Sequence, residues 1–411
     1  MKTDQLKGKK LLICEEALIN YEGHYYTWIK AIRRIHIDAG CEVYIAGNEA
    51  IDSRIREEFQ VLPAYSHNNW SGIYNHKNPL RRYINVFLHN YRVWTQTKKV
   101  FKITGPVDCI LLPSARIYQL IAWRFLCRQF LHKRFNRLVA FILMSEAVYN
   151  KDFSSFHFKR TSKLLKTILK GFSKNVEKGE VVLAGDSHIT SREYETLANV
   201  KFRVFPSPAA GLNAVLNAKT HNVRPAGKPC TFVILGVSVF DKGIDLLQDA
   251  IISLLTANKQ LNAKFIIQWS VPTFDYDFKQ VLISDALRQA KQVHLIEKVL
   301  DDKEYNDYLQ QADVLVLPYR RKIYFNRISG VAIEAACSGI PMIVTENTWL
   351  SEAMDQFGAG VKIRDEDADD LAKKIMYCIE NLDALSEYAQ KRQAVATEMN
   401  STSRYLASVW E

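Results

Sequence analysis

Residues 328–344 read Ile-Ser-Gly-Val-Ala-Ile-Glu-Ala-Ala-Cys-Ser-Gly-Ile-Pro-Met-Ile-Val. Their types and spacing suit the binding of an anion and a sugar. Ser329 is placed to cap a short helix. The backbone N–H groups at Gly330 and Val331 then stand free at the helix start, where they suit phosphate. Glu334 falls one turn on, where a carboxylate can accept hydrogen bonds from sugar hydroxyls. Gly339 and Pro341 end the helix, and the apolar run after them begins a strand. The same residues also suit an ordinary, well-capped surface helix.

A second group lies upstream. An apolar run ends at Leu235-Gly236, and Lys242-Gly243 stand just before a helical pattern that starts at Ile244. A lysine there can reach a pyrophosphate at the helix start, or it is a solvated lysine at a loop edge. Arg320, Arg321, Lys322 and Arg327 put four cations just ahead of Ser329. They either meet the same phosphate or form a solvated basic loop. Asp275-Tyr276-Asp277 spells D-x-D, but two acids at this spacing arise often by chance, and no metal site is expected.

The elements that position these residues follow from the apolar runs. Lys9–Cys14, Cys41–Ala46, Val107–Leu112, Leu138–Met144, Val181–Ala184 and Phe202–Phe205 read as strands, and Tyr25–Ala39 reads as a helix. Asn217–Pro229 is polar and contains Pro and Gly, as a linker does. The series then restarts with strands at Thr231–Leu235, Phe265–Trp269, Gln292–Leu295, Val314–Leu317, Pro341–Val344 and Gly360–Ile363, and a helix at Ile244–Leu255. Strands alternating with helices imply parallel sheets covered on both faces. Two doubly wound α/β domains in tandem are the simplest account, with ligands at the carboxyl ends of the strands.

Length and charge agree with that organisation. The chain has 411 residues, 48% of them hydrophobic and 24% charged, which suits two domains with sizeable cores. No apolar run approaches the roughly 18 residues that a transmembrane helix needs. The seven cysteines are scattered and form no C-x-x-C pair, so they read as reduced core residues of a cytoplasmic protein without a zinc site. Residues 1–210 carry 33 Lys and Arg against 18 Asp and Glu, while residues 211–411 carry 22 against 26. A basic first half points to an anionic partner surface. Within Phe156–Asn175, Leu164, Leu165, Ile168, Leu169 and Phe172 share one helical face, and Lys159, Lys163, Lys166, Lys170 and Lys174 share the other. That pattern suits an interfacial helix on anionic lipid, or a core-packed helix with a solvated basic face. Trp94, Trp123, Phe125, Phe130 and Phe135 interleave with cations nearby. No nucleic-acid-binding module is recognisable, and no nucleic-acid partner is expected.

The Glu334 block also resembles the donor-site signature of the family-4 retaining glycosyltransferases of GT-B fold. There a helix with the pattern E-x7-E precedes A-x-A/S-x-G-x-P. Glu334 matches the second glutamate, with Ala335, Gly339 and Pro341 behind it, while Asn326 stands where the first glutamate is expected. The segment Gly236 to Gly243 is similar to the family's G-R-x-x-x-x-K-G. Lys242 and Gly243 match, and Val237 stands in the arginine position. Ala312 to Tyr319 resembles the family's ADVLVLPS stretch.

The resemblance implies two Rossmann-like domains facing across a cleft. Residues 1–215 would bind the acceptor and residues 216–390 the nucleotide-sugar. Residues 391–411 would form a helix that crosses back to the first domain. Gly236, Lys242, Arg327, Ser329, Gly330 and Val331 would hold the donor diphosphate. Glu334 would hold ribose hydroxyls, Asn326 a sugar hydroxyl, and the backbone at Lys298 and Val299 the base. The loop with Glu22, Gly23 and His24 would meet the acceptor, and Glu146 would act as general base or orienter. The donor would be a substrate, with no cofactor and no metal. A saccharide or lipid-linked saccharide would be the acceptor, on the cytoplasmic face of a membrane, in cell-envelope or exopolysaccharide assembly. The two missing charges, at Val237 and Asn326, also suit a non-catalytic GT-B subunit that supports a partner enzyme.

Overall fold

The computed structural model describes residues 6–21, 24–68, 76–160, 162–207, 227–270 and 280–411. Glu22, Gly23, the side chain of His24, the Asp275–Asp277 motif and most of the expected linker lie outside the described residues. The chain divides into two compact units, residues 1–209 with 402–411, and residues 210–401.

In the first unit the strands are β1 (Lys10–Cys14), β2 (Glu42–Asn48), β3 (Leu62–Tyr65), β4 (Val107–Leu112) and β5 (Phe135–Ile142). A short antiparallel ribbon follows, β6 (Ala147–Tyr149) and β7 (Phe156–Phe158), and then β8 (Val181–Gly185) and β9 (Arg203–Val204). The main sheet runs β3-β2-β1-β4-β5-β8-β9 and is parallel throughout. Leu11, Leu12 and Ile13 are all buried, as expected of a strand covered on both faces. Strand β3 was not among the expected strands because Pro63 breaks its pattern, and it survives as an edge strand, where a missing N–H donor costs least.

The segment Phe156–Asn175 is not an interfacial helix. It supplies β7 and then two helices, Ser162–Lys170 and Ser173–Glu177. Leu165, Ile168, Leu169 and Phe172 are buried in the core of the first unit, and the lysines face solvent. Trp123 and Phe135 are buried in the same core. The amphipathic pattern therefore reports core packing, the commoner cause of such a pattern.

Strands of the second unit are β10 (Cys230–Ile234), β11 (Ala263–Gln268), β12 (Val293–Ile296), β13 (Val314–Leu317), β14 (Met342–Thr345) and β15 (Gly360–Ile363). Their order is β12-β11-β10-β13-β14-β15, again all parallel. Alternate residues of β10 feed separate cores, as the period of a strand requires. Phe232 packs with Ile244, Leu247, Ile251 and Leu371 on one face, and Val233 packs with Leu315, Ala332 and Leu350 on the other.

The chain returns to the first unit at Thr402 rather than at 391. Helix Leu382–Met399 is continuous, and its Ala396 is buried in the second unit's core, which holds it there. Helix Thr402–Trp410 then packs Tyr405 and Trp410 on the buried His36. No described helix is long and apolar enough to cross a membrane. All seven cysteines are free and buried.

Candidate functional site

In the second unit, strand order reverses between β10 and β13. Their carboxyl ends diverge there and leave room for a ligand. The loops from these two strands touch. A Cβ at Gly243 would collide with the Pro318 carbonyl, and φ there is +67°, so glycine meets both demands. Arg320 locks the same two loops. Its backbone N–H donates to the Asp241 carbonyl at 3.0 Å, and its guanidinium lies 3.5 Å from the centre of the Phe240 ring. The guanidinium also holds both Asp245 oxygens (2.9 and 2.7 Å) and Glu366 (2.8 Å).

Lys242 lies in the crook of these loops. Its Nζ sits 5.4 Å from the Tyr319 ring centre. A Cβ on Gly236 would come within 2.8 Å of that Nζ, and φ at Gly236 is +99°, so no other residue leaves this space open without strain. Among the described residues, no carboxylate pairs with Lys242 or Arg327. Desolvation, reinforced by the nearby Arg327 charge, lowers the Lys242 ammonium to about 8. A desolvated ammonium without a carboxylate partner, beside a second cation, suits an anionic ligand.

Helix Gly330–Cys337 opens beside this pair. The Ser329 hydroxyl accepts from Ala332 N–H at 3.3 Å, and the capping leaves the N–H groups of Gly330 and Val331 to other partners. Glu334 is buried, and its Oε2 accepts from the Tyr305 hydroxyl at 2.5 Å. Burial and this carboxylate hold the Tyr305 hydroxyl far above its usual range.

Of the four cations ahead of Ser329, Arg320 is consumed in its ion pairs, so it does not stand in for the missing arginine. Arg321 is half-buried beside Phe325, and Lys322 is exposed. Arg327 acts electrostatically on Lys242. Val237 is exposed and forms an isolated bridge to Ser270. Asn326 is half-buried, next to Arg327.

Gln268, at the end of β11, had no signal in the sequence beyond a polar residue closing an apolar run. It is buried, accepts from Gly236 N–H at 2.7 Å and donates to the Lys298 carbonyl at 3.3 Å. It thereby ties the loop after β10 to the loop after β12. Lys298 pairs with Glu304, and Val299 is exposed.

The first unit has its own switch point, between β1 and β4. Glu15 and Glu16, at the end of β1, are both buried. Glu15 accepts from Ser114 Oγ at 2.6 Å and Ala17 N–H at 2.9 Å, yet desolvation raises its carboxyl to about 7. Glu16 pairs with the buried His89 at 3.0 Å and accepts from Gln119. In the sequence this cluster showed only as the end of a strand. Glu146 follows β5 and is half-buried, and desolvation raises its carboxyl pKa against the opposing pull of Arg116 and Lys159. Its neighbours Ser145 and Tyr149 both donate to the buried Glu193. Among the described residues, no cluster of three His, Cys, Asp or Glu could hold a metal ion.

Two parallel-sheet α/β units of this kind in tandem constitute the GT-B fold. Residues 229–381 match the family Glycosyl transferases group 1. A glycosyltransferase from Rickettsia africae has a similar structure, with a TM-score of 0.65 at 13% identity, covering 97% of this chain and 96% of that one. Anabaena Alr3699/HepE in complex with UDP and glucose gives 0.58 at 13% identity, covering 97% and 98%. A UDP-forming α,α-trehalose-phosphate synthase from Burkholderia xenovorans gives 0.60 at 11% identity, covering 98% of each. At such identities the likeness is one of fold. No curated protein matches in sequence.

Proposed function

We propose that the protein transfers a sugar from a nucleotide-diphosphate donor to an acceptor hydroxyl, with retention at the anomeric carbon. The observation that carries this reading is Lys242. It is a desolvated cation without a carboxylate partner, at a switch point, next to Arg327 and a capped helix start. As the glycosidic bond breaks, negative charge gathers on the departing diphosphate. Lys242, Arg327 and the N–H groups of Gly330 and Val331 stabilise it, in the role a metal ion plays elsewhere. Glu334 holds the ribose, fixed in orientation by Tyr305, and Asn326 meets the donor sugar. The backbone at Lys298 and Val299, set by Gln268, meets the base. Glu146, its carboxyl pKa raised, is the general base or orienter on the acceptor side. Glu22, Gly23 and His24 complete the acceptor side.

The family match over residues 229–381 supports the class of reaction. The UDP and glucose of the HepE complex, and the UDP-forming activity named for the trehalose-phosphate synthase, support a nucleotide-sugar donor. The basic first half supports a lipid-linked acceptor at an anionic membrane face, in envelope or exopolysaccharide assembly. Val237 and Asn326 favour a second reading, a non-catalytic GT-B subunit that supports a partner enzyme.

Thermal unfolding against UDP, GDP, ADP, CMP, dTDP and their sugar conjugates tests the proposal. Saturation at 100 times Kd adds about 2.7 kcal/mol. A shift with one base family supports a working donor site and names the base. No shift with any of them overturns the enzyme reading in favour of the second.

A further inference from the structure

Helix Pro79–Thr104 carries two apolar faces. The inner one, Val86, Val93, Val100 and Phe101, is buried, together with His89, Asn90 and Thr97. On the opposite side Leu80, Tyr83, Ile84, Phe87, Leu88 and Tyr91 form a second stripe, spaced by threes and fours. It is open to solvent, with Leu80 68%, Phe87 69% and Tyr91 56% exposed. A helix apolar on both sides is normally buried on both. Isolated exposed apolar residues need no cause, but a contiguous row of six does.

The charge around the row identifies what covers it. Residues 59–107 contain seven Lys and Arg and no Asp or Glu. Arg81 and Arg92 flank the stripe, and further along the same face the apolar residues give way to Lys98 and Lys102. Trp94 lies between, with Lys98 Nζ 4.1 Å from its ring centre. An apolar row that runs into tryptophan and then lysine matches the depth profile of a bilayer interface, from acyl chains to anionic headgroups.

We propose that the first three turns of helix Pro79–Thr104 insert into an anionic bilayer surface, with Leu80 and Phe87 deepest and Lys98 and Lys102 at the phosphates. This deepens the reading of a lipid-linked acceptor and rests on it for its purpose. It replaces helix Ser162–Lys170, whose apolar side is committed to the core.

Sedimentation with vesicles, without nucleotide, tests the insertion independently of the donor site. Vesicles of phosphatidylglycerol should bind the protein at least tenfold more tightly than vesicles of phosphatidylcholine. Leu80→Ser with Phe87→Ser should weaken that binding at least tenfold, with the unfolding temperature and the nucleotide response unchanged. Lys163→Ser with Lys166→Ser should change it less than threefold. Wild-type binding by the Leu80/Phe87 variant overturns the proposal. So does a wild-type dimer that ignores vesicles and dissociates on the same two substitutions, since the row would then be a self-association surface. A loss of vesicle binding beside an intact nucleotide shift, or the reverse, shows which of the two readings fails.

Discussion

Replacing Lys242 with methionine should stabilise the free protein while removing the donor binding proposed above. The ammonium is lowered from 10.5 to about 8. At about 1.4 kcal/mol for each pH unit, that shift corresponds to at most about 3.5 kcal/mol of strain in the charged form. The side chain keeps part of its surface in water, and screening reduces the figure to roughly 1.5 kcal/mol. Methionine also gives up the contact of the cation with the Tyr319 ring, worth about 0.5–1 kcal/mol. The net gain is then about 0.5–1 kcal/mol, or roughly 1–4 °C in Tm. The sign with pH is fixed. A lysine whose folded pKa lies below its unfolded one carries its penalty in full below about pH 8, and the penalty fades as pH rises toward 10.5. The gap between variant and wild type should therefore close over that range. Differential scanning fluorimetry at pH 7 and pH 10, with and without a nucleoside diphosphate, reads all of this. The wild type should gain about 2.7 kcal/mol at 100 times Kd, and the variant almost nothing. A variant that melts lower than wild type and still responds to nucleotide would refute the view that Lys242 binds an anion.

Four further outcomes follow from the geometry. Arg320→Lys should cost about 2–3 kcal/mol in urea unfolding, nearly as much as Arg320→Ala, because only the planar fork spans Asp245 and Glu366. Tyr305→Phe should cost about 1.5–3 kcal/mol through the lost hydrogen bond to a charged group, and should raise the donor KM with little change in kcat. Glu15, raised from 4.5 to about 7, contributes stability that is present in full below 4.5 and lost as pH rises through 7. Glu15→Gln should flatten that decline in denaturant midpoints measured from pH 4 to 8. Removal of residues 402–411 should uncover His36, which burial holds at about 4, and histidine NMR should then find it near 6.5.

The sheets were legible because their strands are buried on both sides and read as unbroken apolar runs. Val314–Leu317 and Gly360–Ile363 fall where the sequence puts them. The helix cap at Ser329 was legible for the same local reason. Contacts over long sequence separations were not. Nothing in the sequence around Arg320 reveals that Asp245 and Glu366 claim it, and nothing around Gln268 reveals its two loop partners. The helix Ser162–Lys170 shows the limit of periodicity. A face suited to lipid and a face suited to a core have the same spacing, and only burial separates them. Helix Pro79–Thr104 is the converse, since its second apolar row is apparent only once the first is seen to be occupied.

The return of the chain at Thr402 has a consequence for the order of synthesis. The first unit is assembled from two stretches of chain on either side of the second unit in sequence, and Tyr405, Leu406 and Val409 are buried in it. A ribosome makes those residues only after it has made the whole of the second unit. Until then the nascent first unit leaves the surface around His36 bare, open to chaperones and to stray pairing. Released chains that stop at residue 401 should therefore carry a first unit that proteases still cut, beside a second unit that they no longer can.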